Sequence, residues 1–151
     1  MELILHPTIK QKQEISYHHI VNLNEKLDIY IGNDASREAE HFDYIIEIGN
    51  EQDEYPPLSY QPIDILSLSF NDVRTYNIVQ HKDIITEFIN KCKGKLLIHC
   101  GEGISRSPSI LIMYLMNKYT YSEAYQFVSS KRYIKPNIGF VKQLRAFIHK
   151  K

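Results

Sequence analysis

Two neighbouring segments restrict this chain more than anything else in it. Residues 95–100 contain Leu96-Leu97-Ile98, an apolar run short enough to be a buried strand. Residues 107–119 carry Ile110, Leu111, Ile112, Met113, Leu115 and Met116, apolar nearly all round a helix. A strand and a helix that are apolar on every side must both sit at the centre of a layered domain. Between them lies a loop with two glycines, His99-Cys100-Gly101-Glu102-Gly103-Ile104-Ser105-Arg106-Ser107, and Pro108 suits the first turn of the helix that follows.

The rest of the chain repeats this alternation. Strands are expected at residues 28–32, 44–48 and 63–68, with a short polar helix at 35–41. Residues 49–58 are polar and acidic around Pro56-Pro57 and read as a surface loop. A helix over residues 77–93 puts Ile78, Ile85, Phe88, Ile89 and Cys92 on one face, and Gly94 suits the position after it. Thr120 and Glu123 form a capping box that opens a helix faced by Ala124, Tyr125 and Val128. The last helix aligns Phe140, Val141, Leu144, Phe147 and Ile148. Strands alternating with helices predict one α/β domain over residues 1–151. Its centre is a mostly parallel twisted sheet of about five strands, flanked by helices on both faces.

Charge and cysteine usage narrow the setting. Eighteen Lys and Arg balance eighteen Asp and Glu, which argues against nucleic acid or an anionic membrane as partner. Two cysteines make no disulfide framework and read as reduced thiols, so a cytoplasmic protein is expected, with the nucleus open. The apolar run Leu3-Ile4-Leu5 is too short, and Glu2 too acidic, for a signal peptide. No stretch approaches the ~20 apolar residues of a membrane span. His6, His18, His19 and His41 lack metal-ligand spacing and are expected on the surface, so no metal and no cofactor are expected. The chain is expected to act as a monomer.

The loop at 99–107 carries the chemistry. Backbone N–H groups turned inward at a helix N-terminus make an anion site, strengthened by the helix macrodipole. Gly101 and Gly103 let the backbone come close to an anion held by Gly101, Glu102, Gly103, Ile104 and Ser105. Arg106 adds a fork that can grip two phosphoryl oxygens. Helix N-termini and nearby cations favour thiolates, which makes Cys100 the expected nucleophile of a phosphoryl transfer that needs no metal. A Cys-x5-Arg spacing alone is weak. With His before the cysteine, Gly at the third variable position and Ser after the arginine it becomes specific.

This segment resembles the signature of the dual-specificity phosphatases, His-Cys-x-x-Gly-x-x-Arg-Ser/Thr, unbroken at 99–107. The resemblance runs from about residue 26 to 150. It includes Ile29-Tyr30-Ile31-Gly32-Asn33 near the start, and Pro136-Asn137-Ile138-Gly139-Phe140 with Gln143-Leu144 near the end. It implies hydrolysis of phosphotyrosine and phosphoserine or phosphothreonine in phosphoprotein substrates, in two steps. Cys100 attacks phosphorus while an aspartic acid protonates the leaving oxygen, and water then hydrolyses the phosphocysteine. The resemblance gives Ser107 the departing thiolate to hydrogen-bond and His99 the loop to support.

The acid is sought among Asp64 and Asp72. Asp72 follows its strand, at the end where α/β sites assemble, whereas Asp64 falls within the strand. Asn77, five residues after Asp72, is also similar to the family's acid-loop pattern, and Asp72 is preferred. Arg132 resembles a family position that can hold a second phosphate; the alternative is a cation stabilising a helix end. Cys92 is read as a buried structural thiol rather than a redox partner of Cys100. Inositol lipids and RNA 5′-triphosphate are less favoured substrates, because the loop carries Glu102 and no lysine and the net charge is zero. A phosphoprotein-binding pseudophosphatase is disfavoured because Cys100, Arg106 and Asp72 are all present.

Overall fold

A computed structural model describes residues 13–147 of the 151. The expectations for His6 and Ile148 lie outside the described residues. Five strands form one sheet: β1 (Tyr17–Leu23), β2 (Leu27–Gly32), β3 (Tyr44–Gly49), β4 (Asp64–Ser69) and β5 (Gly94–His99). Their order is β1-β2-β5-β3-β4, antiparallel only between β1 and β2. The helices are α1 (Lys82–Lys91), α2 (Arg106–Leu115), α3 (Tyr121–Ser129) and α4 (Ile138–Ala146). None is long and apolar enough to cross a membrane.

The two faces of the sheet are covered unequally. Ile29, Ile31, Ile46, Ile48, Leu96 and Ile98 share a core with Ile85 of α1, Ile112 of α2, Val128 of α3 and Phe140 of α4. Successive strand residues face opposite ways, so Ile45 and Leu97 point to the other side. There they meet Phe42, Tyr17, Tyr30, Leu58 and Tyr60 in a smaller cluster. A 3₁₀ turn, Asp34–Glu38, stands where a short helix was expected. Ile98 lies at the centre of this arrangement with no exposed surface, and its truncation to Ala would cost about 2–5 kcal/mol.

Several boundaries differ from expectation for identifiable reasons. β1 extends the sheet by a strand that the residue pattern hid. The 77–93 helix begins as a 3₁₀ turn, Ile78–His81, capped by Asn77 Oδ1 accepting from Val79 N at 3.1 Å. It ends at Lys91, with Cys92 already extended. Gly94, at φ 94°, opens β5 and is a conformation that side chains rarely adopt. The Thr120–Glu123 capping box is present in both directions.

Strand order decides where chemistry can occur. β5 lies between β2 and β3, all three parallel, so their C-terminal ends open at one edge. Cys100 follows β5, Gly32 ends β2, Gly49 ends β3, and Phe70 and Asp72 follow β4. Cys100, Arg106 and Asp72 therefore arise where an α/β sheet forms its crevice, while Arg132 comes from the segment after α3.

Candidate active site

The loop from Gly101 to Ser105 is organised by where its carbonyls go. Gly101 O accepts from Asp34 N (3.3 Å) and Gln13 Nε2 (2.8 Å). Glu102 O and Gly103 O both accept from the Arg132 side chain, at 3.1 and 2.9 Å. Ile104 O accepts from Lys135 N at 2.8 Å. Ser105 O accepts from Ser109 N (3.0 Å) and Ser109 Oγ (2.7 Å). Five consecutive carbonyls are thus held by the surrounding protein. In a trans peptide the following N–H points the opposite way, which turns the N–H groups of residues 102–106 toward the loop's interior. Such a ring of donors is an anion-binding nest. Gly103 makes it possible: its φ is 69°, and a Cβ there would stand 2.5 Å from Gly32 O.

Cys100 sits at the bottom, 2% exposed. Its Sγ accepts from Ser107 N at 3.4 Å and lies 3.2 Å from Ser107 Oγ. Ser105 is the N-cap of α2 by position, yet its hydroxyl makes no cap bond. The first turn's N–H groups are therefore left for the loop and the sulfur. Arg106 is held from the neighbouring strand ends, its Nη1 donating to Asn50 Oδ1 (2.8 Å) and Phe70 O (3.0 Å).

His99 lies beneath, fully buried, with Nδ1 2.9 Å from Asp34 Oδ1 and Nε2 3.4 Å from Glu47 Oε1. Arg37 Nε donates to Glu47 Oε1 at 2.7 Å, and its guanidinium lies 4.8 Å over the Tyr55 ring. Burial alone would raise both carboxyls. At Asp34 the His99 and Tyr55 hydrogen bonds and the His99 and Arg106 charges outweigh it, and at Glu47 the His99 hydrogen bond and the Arg37 charge do so. Both are held below the ordinary carboxylate range. Nothing in the sequence marks Glu47, in mid-strand, or Arg37 as partners.

Asp72 and Asp64 are placed far apart in kind. Asp72 Oδ1 accepts from Ser105 Oγ and from Asn137 Nδ2, each at 2.8 Å, which joins it to the loop. Asp64 opens β4 at the opposite edge, with Oδ2 2.6 Å from Lys91 Nζ. The segment carrying Asp72 is clamped by α4. Gln143 Oε1 accepts from Ile78 N at 2.9 Å, and Gln143 Nε2 donates to Tyr76 O at 2.7 Å. Tyr76 stacks on Phe70 at 4.5 Å with ring planes 4° apart. Asn137, named in the sequence only as part of the stretch resembling the family, is also the N-cap of α4, its Oδ1 accepting from Phe140 N at 2.9 Å. Asn50 carried no signal.

Arg132 lies beyond the end of α3 and is 6% exposed. Tyr133 beside it is 71% exposed. Cys92 is buried, and its thiol donates to Phe88 O at 3.2 Å. It stands before β5 while Cys100 follows it, a separation of roughly 20 Å at about 3.3 Å per residue.

A buried thiol at a helix N-terminus, ringed by inward N–H groups and an arginine, is the arrangement that cysteine-dependent phosphoryl transfer on an α/β sheet requires. The comparisons with known proteins give the class its family. Residues 6–150 match the family described as dual specificity phosphatase, catalytic domain, and the chain belongs to that family. It is 38% identical over 145 residues to a putative tyrosine-protein phosphatase of Amsacta moorei entomopoxvirus, covering 85% of this chain and 86% of that protein. It is also 38% identical over 110 residues to a probable rhodanese domain-containing dual specificity protein phosphatase of Dictyostelium discoideum. That alignment covers 69% of this chain but only 22% of the much longer relative. The fold is similar to the human tyrosine phosphatase-like serine/threonine/tyrosine-interacting protein, with TM-score 0.69 and 30% identity, covering 78% of this chain and 88% of that one.

Proposed function

We propose that the chain is a single catalytic domain that hydrolyses phosphotyrosine and phosphoserine or phosphothreonine in phosphoproteins, without a metal, through a phosphocysteine. The observation that carries this is the pairing of Cys100 Sγ with Ser107 at the base of a loop whose carbonyls all face outward. The nest and the Arg106 guanidinium would hold the three terminal phosphoryl oxygens. Cys100 Sγ attacks phosphorus, the bond to the leaving oxygen breaks, and Asp72 gives that oxygen a proton. Because Oδ1 of Asp72 already accepts two hydrogen bonds, the proton is carried on Oδ2. Water then attacks the phosphocysteine and passes a proton back to Asp72. The S–P bond breaks and Ser107 stabilises the departing thiolate. Neither Asp72 nor the Cys100 thiol holds the carbonyls of residues 101–105, so Asp72→Asn and Cys100→Ser should separate binding from turnover.

A signalling role in the cytoplasm, as a monomer, fits the reduced thiols and balanced charge. The test is one activity panel: phosphotyrosyl and phosphothreonyl peptides, inositol phospholipids and triphosphate-ended RNA, each with and without a chelator. Both peptides should be hydrolysed, chelator should have no effect, and Cys100→Ser should bind phosphate without turnover. A preference for lipid or RNA would move the substrate class. Chelator-sensitive turnover, or activity in Cys100→Ser, would overturn the thiolate chemistry.

A further inference from the structure

Arg132 spends its donors on the protein itself. Nε and Nη2 hold the carbonyls of Gly103 and Glu102, and Nη1 reaches Ser16 Oγ at 3.1 Å and His18 Nδ1 at 2.9 Å. A guanidinium only donates, so His18 must present a lone pair at Nδ1. Among the described residues Arg132 forms no ion pair with a carboxylate, and its charge is left to the loop above it. The fit is close, since a Cβ on Gly103 would lie 2.9 Å from Arg132 Nη2.

Resting on the phosphatase reading of the loop, we propose that Arg132 is a positioning residue for the phosphate nest rather than the grip for a second phosphate. By fixing two successive carbonyls outward it aims the N–H groups of Gly103 and Ile104 at the phosphoryl oxygens. The neighbouring carbonyls are held by backbone, by Gln13 or by Ser109, so these two rely on one side chain. Its bonds to Ser16 and His18 tie the nest to β1 and the residue before it, which gives the antiparallel edge strand a part in the site. The rival role has a place to occur, a cavity of about 380 Å³ whose walls include Ser16, His18, Ile104, Arg132 and Tyr133. Glu14 and Glu102 line the same cavity, and two carboxylates oppose a phosphate there.

The experiment compares wild type with Arg132→Ala and Arg132→Lys on three readouts. These are kcat/KM for a small aryl phosphate, affinity for inorganic phosphate, and the preference for a doubly over a singly phosphorylated Thr-x-Tyr peptide. Lysine keeps the charge but lacks the planar fork that serves two carbonyls. Both variants should lose about tenfold or more in aryl phosphate kcat/KM and a similar factor in phosphate affinity, the worth of one or two charge-assisted hydrogen bonds. The peptide preference should not change. Unchanged small-substrate kinetics with a lost peptide preference would overturn the proposal, as would full rescue by lysine. Should Arg132→Ala fail to fold, Arg132→Lys decides by the same readouts. Wild type binding phosphate but hydrolysing no phosphoester would sink the phosphatase reading instead, while the phosphate affinities still judge Arg132.

Discussion

Ser105 Oγ donates to Asp72 Oδ1 at 2.8 Å, so the loop proposed to cradle phosphate and the loop that carries the proposed acid are joined directly. Asn137 completes the junction, its backbone N–H donating to Ser105 Oγ at 2.9 Å and its side chain to the same Asp72 oxygen at 2.8 Å. Asp72 is thereby placed by the N-terminus of α4 and the 101–105 loop together, not by its own loop alone.

Asp72→Asn should lower kcat by roughly 10²–10⁴ for leaving groups that need a proton, the usual worth of general acid catalysis. The deficit should shrink as the leaving group becomes more acidic. Asp64→Asn, at an exposed ion pair with Lys91, should change kcat by less than about twofold. Equal losses at the two positions, measured over a series of aryl phosphates, would contradict the assignment.

Gly139 tests the clamp from the other side. A Cβ there would stand 1.9 Å from Arg74 O, two residues beyond Asp72. Gly139→Ala must push the acid loop off α4. It should reduce kcat at least about tenfold and destabilise the fold by roughly 1–3 kcal/mol, the range for overpacking. Phosphate affinity should survive, because the nest does not touch Gly139. Loss of phosphate affinity in step with kcat would show that the two loops are not separable in this way.

Most of this architecture is readable in the sequence, and the exceptions have physical causes. The buried β5 and α2 announced themselves by being apolar all round, and the nine-residue signature located Cys100 and Arg106. β1 was hidden because its pairing with β2 shifts register between His19 and Val21, which breaks the two-residue period. Its turn was hidden too, since Asn24 and Glu25 adopt φ of 55° and 60° without a glycine. Arg37, Glu47 and Asn50 meet the site only through strand order, which local pattern does not encode. Arg132 read as a grip for a second phosphate or as a cation at a helix end, and only the folded loop reveals the carbonyls it holds.

Burial and the Arg132 charge lower the affinity of His18 for a proton below the ordinary histidine value. The contribution to stability is therefore full above the unfolded value of about 6.5 and lost as pH falls through the folded one. His18→Asn keeps an acceptor for Arg132 but does not titrate. Its urea midpoint should fall less than that of wild type between about pH 7 and 5. His81, also lowered by burial, titrates in both proteins, so the difference isolates His18. Identical slopes would contradict the pairing.

Cys92 should take no part in oxidation. Burial pushes its thiol up to about 12, and the length of β5 separates it from Cys100. Peroxide should inactivate wild type and Cys92→Ala at the same rate, with no Cys92–Cys100 disulfide by mass spectrometry. A disulfide joining the two would require β5 to come apart.

The central claim is that Cys100 carries the phosphoryl group between two steps. Acid quench of wild type during turnover of an activated aryl phosphate, followed by peptide mass spectrometry, reads this directly. One phosphoryl group should be found on Cys100, more of it in Asp72→Asn, where the water-attack step has lost its base, and none in Cys100→Ser. A phosphoryl group on another residue, or turnover with no phosphoenzyme in either wild type or Asp72→Asn, would contradict the account.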